Sequence, residues 1–236
     1  MKSSIQQHKN SNNNIAGEEE LGLQTDIYER RLPVYLLVDC SSTMRGEPIT
    51  AMEMGLHALL GDLQQDPQAM ETVWLSILTF GSSANVLIPL TDIEDFYLPP
   101  LVAEGTTALG ASLHLLMQQV NDEVRKSSAS QKGDWRPLVF LFTDGKPTDD
   151  WEDAVKELNK LNSLTLIACG AGPEAAMDVL EKISAHIVRL DDTSPGKLAS
   201  FLQWVSMTIT AAGKSVGTGK SITEIIPPPT QGIAVQ

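Results

Sequence analysis

Hydrophobic and polar positions follow two alternating patterns through the middle of the chain. Short, continuous apolar runs are typical of parallel strands covered on both faces, and they are separated by segments in which apolar residues recur at helical spacing. The runs predict six strands, over residues 34–38, 73–80, 86–90, 138–142, 164–169 and 186–190. The spaced segments predict helices over residues 48–63, 107–124, 174–184 and 195–211. Asp149, with Glu152 three residues later, indicates the start of one more helix.

Six strands with interleaved helices predict an α/β fold in which a doubly wound, mostly parallel sheet has helices on both faces. The turn Gly81-Ser82-Ser83 joins the second and third strands as a hairpin. One antiparallel strand is therefore expected at an edge of the sheet. At 236 residues, the chain is long enough for one such domain with a substantial core.

The two ends of the chain differ in composition from this middle part. Residues 1–30 lack periodicity and include an Asn-rich run and the acidic Glu18-Glu19-Glu20, which predicts a flexible polar arm. Residues 213–236 contain clusters of glycine, serine and threonine and three consecutive prolines, which predicts a flexible, extended tail. The folded domain is expected to span residues 31–212.

Charge and hydropathy limit the classes of partner. A net charge of -13 and a pI near 4.6 argue against nucleic acid, whose phosphates need a basic surface, and against an anionic membrane. No apolar stretch reaches the ~20 residues that cross a bilayer. Residues 1–20 are polar and lack the apolar core of a signal peptide. We therefore expect a cytoplasmic protein that binds neither nucleic acid nor membrane.

Three segments that are far apart in sequence supply oxygen side chains on one expected side of the sheet. Residues 39–43 and 143–145 each follow a predicted strand, and residues 105–107 lead into a predicted helix. Loops at the carboxyl ends of parallel strands converge on one crevice, where hydroxyls and carboxylates are hard ligands suited to Mg²⁺ or Mn²⁺. Each segment alone has an ordinary alternative, since aspartate and hydroxyl side chains also stabilise turns, and Thr107 could be only a helix cap.

Together these residues closely resemble the metal-ion-dependent adhesion site of the von Willebrand factor A (VWA) family. That motif has an Asp-x-Ser-x-Ser loop, a threonine in a Gly-Gly-Thr segment and an aspartate after a later central strand. The matching residues here are Asp39, Ser41, Thr43, Thr107 and Asp144. The resemblance covers about residues 30–210 and implies a Rossmann-like fold. It also implies a Mg²⁺ or Mn²⁺ ion held by hydroxyls and water-mediated carboxylates, with one position open to an acidic side chain of a partner.

Two departures from the family motif affect the expected ligands. Thr43 stands where the family has a second serine, and its hydroxyl can ligate equally although its methyl group restricts the rotamer. Thr106 stands where the second glycine is expected, which leaves open whether Thr106 or Thr107 is the ligand. The register against the helix that begins Ala108-Leu109-Gly110 favours Thr107.

Several segments resemble the bacterial intracellular branch of the family, which includes TerY-like proteins associated with tellurium-resistance operons. These segments are residues 32–39, 46–49, 107–110 and 143–149. Members of this branch are often encoded near protein kinases and PP2C-type phosphatases. The resemblance therefore implies a partner of one of these two kinds.

The residues and the resemblance together predict a non-enzymatic module that binds an acidic residue of a protein partner through a divalent metal ion. Arg45 and Lys146 flank the predicted metal loops and are either ordinary surface charges or groups that steer an acidic partner. A metal-dependent phosphoester hydrolase is an alternative class, with Asp39 as nucleophile and Lys146 as the nearby cation. A scaffold with a vestigial metal site, which recruits through its arm and tail, is another alternative.

Overall fold

The structure is a computed structural model that describes residues 30–218, 220, 222–225 and 233–235. Its strands are β1 (Leu32–Asp39), β2 (Val73–Phe80), β3 (Ala84–Asp92), β4 (Leu138–Thr143), β5 (Thr165–Ala171), β6 (His186–Leu190) and β7 (Ile233–Val235). Its helices are α1 (Glu47–Gln65), α2 (Pro67–Thr72), α3 (Leu109–Glu123), α4 (Glu152–Leu158), α5 (Met177–Ile183), α6 (Pro195–Ser215) and α7 (Ile222–Ile225). Each predicted strand and helix is present, whereas α2, α7 and β7 were not predicted.

All seven strands form one sheet in the order β3-β2-β1-β4-β5-β6-β7. The five strands from β2 to β6 in this order pair in parallel, and β3 pairs antiparallel with β2 at one edge, as predicted. At the other edge, β7 pairs antiparallel with β6. The mostly parallel, doubly wound α/β fold is therefore confirmed, and the structure adds a short seventh strand.

The predicted division into arm, domain and tail stays a prediction. The arm over residues 1–30 lies outside the described residues, except for Arg30. Helix α6 continues to Ser215, slightly beyond the predicted domain boundary. The described residues further along form the one-turn helix α7 and the strand β7.

Alternate residues of the central strands supply two hydrophobic cores, one on each face of the sheet. In β1, Val34, Leu36 and Val38 pack in the core that also contains apolar residues of α1 and α6. Tyr35 and Leu37 pack in the other core, with residues of α3, α4 and α5. Every residue of β1 is buried, as expected of a parallel strand covered on both faces. The helices therefore lie on both faces, as predicted.

Helices α1 and α6 pack closely together on one face. Gly55 of α1 lies against Leu202 of α6, so that a Cβ atom at position 55 would overlap the Leu202 Cδ1 methyl group. The fully buried ring of Trp204 meets Phe140 of β4 edge to face, with ring centroids 6.4 Å apart. These contacts hold α6 against the strand whose carboxyl end carries Asp144.

We expect Gly55→Ala and Gly61→Ala, both within α1, to change stability in opposite directions. A methyl group at position 55 displaces Leu202, and overpacking of this kind costs ~1–3 kcal/mol, which outweighs the gain in helix propensity. A methyl group at position 61 meets no atom of the described residues within 4 Å, so replacing this helical glycine stabilises by ~0.5–1 kcal/mol. Chemical denaturation measures both free energies of unfolding. Equal changes in the two variants would contradict the close packing of α1 on α6.

Candidate metal site

The parallel pairing of β1 and β4 brings the first and third predicted segments together. Val38 lies opposite Phe142 in the register, so the next residues, Asp39 and Thr143, also lie side by side. Asp39 is 0% exposed. Its Oδ2 accepts a hydrogen bond from the Thr143 hydroxyl at 2.6 Å, and its Oδ1 accepts one from the Ser41 backbone N–H at 2.8 Å. These two bonds fix the carboxylate at the carboxyl edge of the sheet.

Hydroxyl groups link the first segment to Asp144. Ser41 Oγ and Thr43 Oγ1 lie 2.8 Å apart, and the Thr43 hydroxyl donates to Asp144 Oδ1 at 2.7 Å. Ser41 and Asp144 are buried, whereas Thr43 is exposed. The structure thus places four of the residues singled out from the sequence, Asp39, Ser41, Thr43 and Asp144, in one cluster of hydrogen-bonded oxygen atoms.

Thr107 lies beside the same cluster. Its Oγ1 atom is 3.1 Å from the position that a Cβ atom on Gly145 would occupy, and Gly145 directly follows Asp144. Thr107 is 5% exposed, and its hydroxyl has no hydrogen-bond partner within the part of the chain that the structure describes. Because a buried polar group without a partner is costly, this hydroxyl is suited to a ligand that the chain does not provide.

Thr106 has a different set of neighbours. Its backbone N–H donates to Ser82 Oγ at 3.1 Å, and its hydroxyl donates to the same atom at 3.4 Å. Thr106 is exposed, whereas Thr107 is buried. Of the two threonines that the sequence leaves open, Thr107 is therefore the one that lies beside Gly145.

Backbone hydrogen bonds attach the loop that carries Thr107 to the loops after β1 and β2. The Glu104 N–H donates to the Cys40 carbonyl at 2.7 Å, and the Ala108 N–H donates to the Gly81 carbonyl at 2.8 Å. Gly81 leaves no space for a side chain, because a Cβ atom there would lie 2.5 Å from the Glu104 carbonyl oxygen. The three loops consequently form one unit around the site.

Thr148 and Asp149, which the sequence did not identify as part of the site, hold Thr107 and the start of α3. The Thr107 N–H donates to Thr148 Oγ1 at 3.1 Å, and the Thr148 N–H donates to the Thr107 carbonyl at 2.9 Å. The Asp149 carboxylate accepts hydrogen bonds from the backbone N–H groups of Gly110 and Ala111 at 3.0 and 2.9 Å. Asp149 therefore caps α3, and Thr148 fixes Thr107, two residues before the helix.

The prediction that Asp149 begins the helix after it is wrong. Helix α4 begins at Glu152 with Trp151 as its N-cap, whereas the Asp149 carboxylate faces the start of α3. The preference of acidic side chains for helix N-termini correctly indicates that the Asp149 carboxylate lies at the start of a helix. It does not indicate which of the two helices receives the side chain.

The two site carboxylates are buried, and no opposite charge among the described residues compensates them. Burial raises the pKa of Asp39 to about 6, and the nearby charge of Asp144 also raises it; burial likewise raises the pKa of Asp144. The flanking basic side chains are engaged elsewhere. Arg45 donates to a backbone carbonyl at 3.1 Å, and Lys146 lies 3.4 Å from a surface glutamate. Within the described residues, no basic side chain forms a salt bridge with either carboxylate.

The side chains at this edge fit a hard divalent cation. A positive ion would offset the burial and mutual repulsion of Asp39 and Asp144, and it would give the Thr107 hydroxyl a partner. The donors are all oxygen atoms, which Mg²⁺ and Mn²⁺ prefer. Among the described residues, no three or more His, Cys, Asp and Glu side chains are grouped so that they could hold a metal. Hydroxyl groups would therefore supply part of the coordination.

Residues 34–201 match the sequence profile of the von Willebrand factor type A domain family. The chain therefore belongs to this family. Its fold is similar to that of proximal thread matrix protein 1 (PTMP1) from the mussel byssus, with a TM-score of 0.56, 20% identity, and coverage of 76% of this chain and 48% of that chain. It is also similar to a von Willebrand factor type A protein from Catenulispora acidiphila, with a TM-score of 0.58, 16% identity, and coverage of 77% and 43%. The SpRpn10 VWA domain has a TM-score of 0.51 and 16% identity, with coverage of 73% and 94%.

The chain spans about half the length of the mussel protein. A comparison with curated protein sequences found no match. In the described part of the chain, none of the helices has both the length and the apolar composition of a membrane span. At these levels of identity, the solved structures establish a shared fold.

We expect Asp149→Ala to destabilise the protein by ~1–3 kcal/mol, because two N–H groups at the start of α3 lose their acceptor. Since Thr107 lies two residues before this helix, the same change should weaken Mg²⁺ binding by roughly 10-fold or more. Asp150→Ala, at the exposed neighbouring position, is the matched control and should change neither property. Urea denaturation and calorimetric titration measure the two effects. Equal behaviour of the two variants would rule out the capping role of Asp149.

The raised pKa of Asp39 predicts how pH changes the stability of the metal-free protein. Its folded-state pKa of about 6 exceeds the ordinary value of 3.8, so the native state binds more protons than the unfolded state between these values. The contribution of Asp39 to stability is therefore full below pH 3.8 and is lost as pH rises through 6.

Asp39→Asn retains the shape of the side chain without the charge. We expect the free energy of unfolding of this variant, relative to that of the unaltered protein, to increase by about 2 kcal/mol from pH 4 to pH 7.5 in EDTA. Urea denaturation at several pH values measures the difference, with the exposed Asp150→Asn as control. A difference that does not change with pH would show that the folded-state pKa of Asp39 is not raised.

Proposed function

We propose that this chain is a non-enzymatic, divalent-metal-dependent protein-binding module, and that its metal ligands are Asp39, Ser41, Thr43, Thr107 and Asp144. Two buried carboxylates that no basic side chain compensates within the described residues support this role most directly. A bound Mg²⁺ or Mn²⁺ ion would supply the missing positive charge and one open position for an acidic side chain of a partner.

Hydrogen bonds within the chain hold the two carboxylates in position without an ion. Thr143 and the backbone of Ser41 hold the Asp39 carboxylate, and Thr43 holds that of Asp144. Because only two carboxylates of the described residues converge here, a divalent charge is not over-neutralised and keeps its attraction for a third carboxylate. The small number of acidic groups therefore favours binding of an acidic partner.

One structure of the mussel PTMP1 has a zinc-occupied MIDAS motif, the metal-ion-dependent adhesion site. This supports metal binding at the equivalent edge of the fold in the present chain. The side chains gathered here carry oxygen donors, which Mg²⁺ and Mn²⁺ prefer. This preference supports Mg²⁺ or Mn²⁺ for this chain.

The resemblance to the bacterial, TerY-like branch supports a role in a cytoplasmic tellurium-resistance, stress or kinase–phosphatase signalling system. The partner would then be a protein kinase or a PP2C-type phosphatase that presents an acidic side chain. The chain's metal site would bind that side chain, and no catalytic step would be required of it.

The hydrolase alternative has less support. A nucleophilic carboxylate must reach the phosphorus atom, but Asp39 is fully buried and both of its oxygen atoms accept hydrogen bonds. The Lys146 side chain, which this mechanism would use, is 70% exposed and lies beside Glu174. These features favour a binding site over a catalytic site.

We expect calorimetric titration of Mg²⁺ or Mn²⁺ into the metal-stripped chain to give one ion per chain, and Asp39→Ala or Asp144→Ala to abolish binding. Thr107→Val should weaken binding by roughly 10-fold or more, because it removes a buried donor oxygen. Thr106→Val is the matched control and should leave affinity unchanged. Circular dichroism checks that each variant is folded. An equal loss of affinity in the two threonine variants would contradict the assignment of Thr107.

The same variants test partner binding. Proteins retained by the immobilised chain in Mg²⁺ should be lost in EDTA and with Asp39→Ala, and they should remain with Thr106→Val. Mass spectrometry identifies them, and titration of the purified partner measures the affinity. A partner that binds equally well in EDTA would refute the metal-bridged mechanism and would favour the scaffold alternative.

A further inference from the structure

A groove with a volume of about 820 Å³ lies at the edge of the sheet opposite the candidate metal site. The first residues of four parallel strands line it, namely Leu32, Leu138, Thr165 and His186. The metal-site residues follow the carboxyl ends of β1 and β4, so the length of the sheet separates the two features. The groove is within the ~300–1,000 Å³ range of pockets that bind ligands or chain segments.

The groove combines an apolar floor with a basic rim. Leu158, Leu164 and Ile183 are buried apolar residues of its lining. Arg136 and Lys220 are exposed basic residues at its margin; Arg136 also donates one hydrogen bond, from Nη2 to the Leu164 carbonyl at 2.6 Å, and keeps its charge for an acidic group. Among the described residues that line it, none is an aspartate or a glutamate. The whole chain has 30 acidic and only 17 basic residues, so this composition selects an occupant that is both apolar and acidic.

The described part of the chain begins at the margin of this groove. The Arg30 guanidinium carbon lies 3.4 Å from the centroid of the Trp135 ring, and Trp135 lines the groove. Arg30 Nε also donates to the Gly133 carbonyl at 2.7 Å. Arg30 therefore lies at the groove's rim. An extended chain advances up to ~3.3–3.6 Å per residue, so residues 18–29 are long enough to cross the groove.

Residues 18–29 combine apolar and acidic side chains, the two kinds that suit an apolar floor with a basic rim. They include the apolar or aromatic side chains of Leu21, Leu23, Ile27 and Tyr28. The same segment contains Glu18-Glu19-Glu20 and two further carboxylates, and it has no lysine or arginine. By contrast, residues 226–232, which continue from the groove-lining Ile225, carry no charge and do not complement a basic rim.

We propose that residues 18–29 dock into this groove of their own chain. The apolar side chains of the segment cover the floor, and its carboxylates lie toward Arg136 and Lys220. Because the groove lies at the amino edge of the sheet, this docking leaves the metal site at the carboxyl edge uncovered. It does not depend on the proposed metal-binding function, and either can fail without the other.

Hydrogen–deuterium exchange of the full 236-residue chain tests this docking. We expect the amides of residues 18–29 to exchange roughly 10-fold or more slowly than those of residues 2–14 in the same arm. Leu161→Asp places a carboxylate in the groove wall, where Leu161 is 39% exposed, and should abolish the protection. Met207→Asp is the matched control, since Met207 is 45% exposed on α6 outside the groove, and it should retain the protection.

Three results would overturn the proposal. Residues 18–29 that exchange as fast as residues 2–14 would show that the segment does not dock. Protection that survives Leu161→Asp would place the segment elsewhere on the protein. Protection that disappears on dilution would show that the segment occupies the groove of a second copy. Thermal denaturation of both aspartate variants confirms that the domain remains folded, so that a loss of protection reports the groove itself.

Discussion

The parallel pairing of β1 with β4 is the contact on which the rest of the structure depends. It sets Asp39 and Thr143 side by side, and the 2.6 Å hydrogen bond between them orients a carboxylate that water does not reach. A parallel pair in the centre of a sheet needs cover on both faces, which the two hydrophobic cores provide. The favourable burial of apolar side chains in these cores offsets the cost of keeping two acidic groups inside the protein.

Hydroxyl groups give the candidate site its order in the absence of an ion. Ser41, Thr43 and Thr143 bond to one another or to the two carboxylates, so most of the polar atoms are satisfied within the protein. Thr107 differs, since its buried hydroxyl lies beside Gly145 without a partner among the described residues. The site therefore combines ligands that are already held in position with one hydroxyl oxygen that is free to bind an ion. Because most of the ligands are already in position, ion binding requires little rearrangement.

Local patterns in the sequence predict the sheet because a continuous apolar run reports burial on both faces, and strand ends locate Asp39 and Asp144. The capping of α3 by Asp149 is not predictable in this way, since 39 positions separate Asp149 from Gly110. The distinction between Thr106 and Thr107 likewise depends on which hydroxyl is buried beside Gly145. Both are contacts between loops, and neither leaves a periodic signal. Strand β7 is too short to show an alternation of its own.

The two outer strands have a consequence for how the molecule behaves in a concentrated solution. An unpaired strand offers its backbone N–H and C=O groups to other chains and so promotes edge-to-edge aggregation. Strand β3 carries Pro89, which has no N–H to donate, and its pairing with β2 shifts register on either side of Ile77, which bends the edge. At the opposite side, β7 pairs with β6 and is itself the outer strand, but it is only 3 residues long and so offers few groups for pairing. Both sides of the sheet are thus poor templates for intermolecular strand addition.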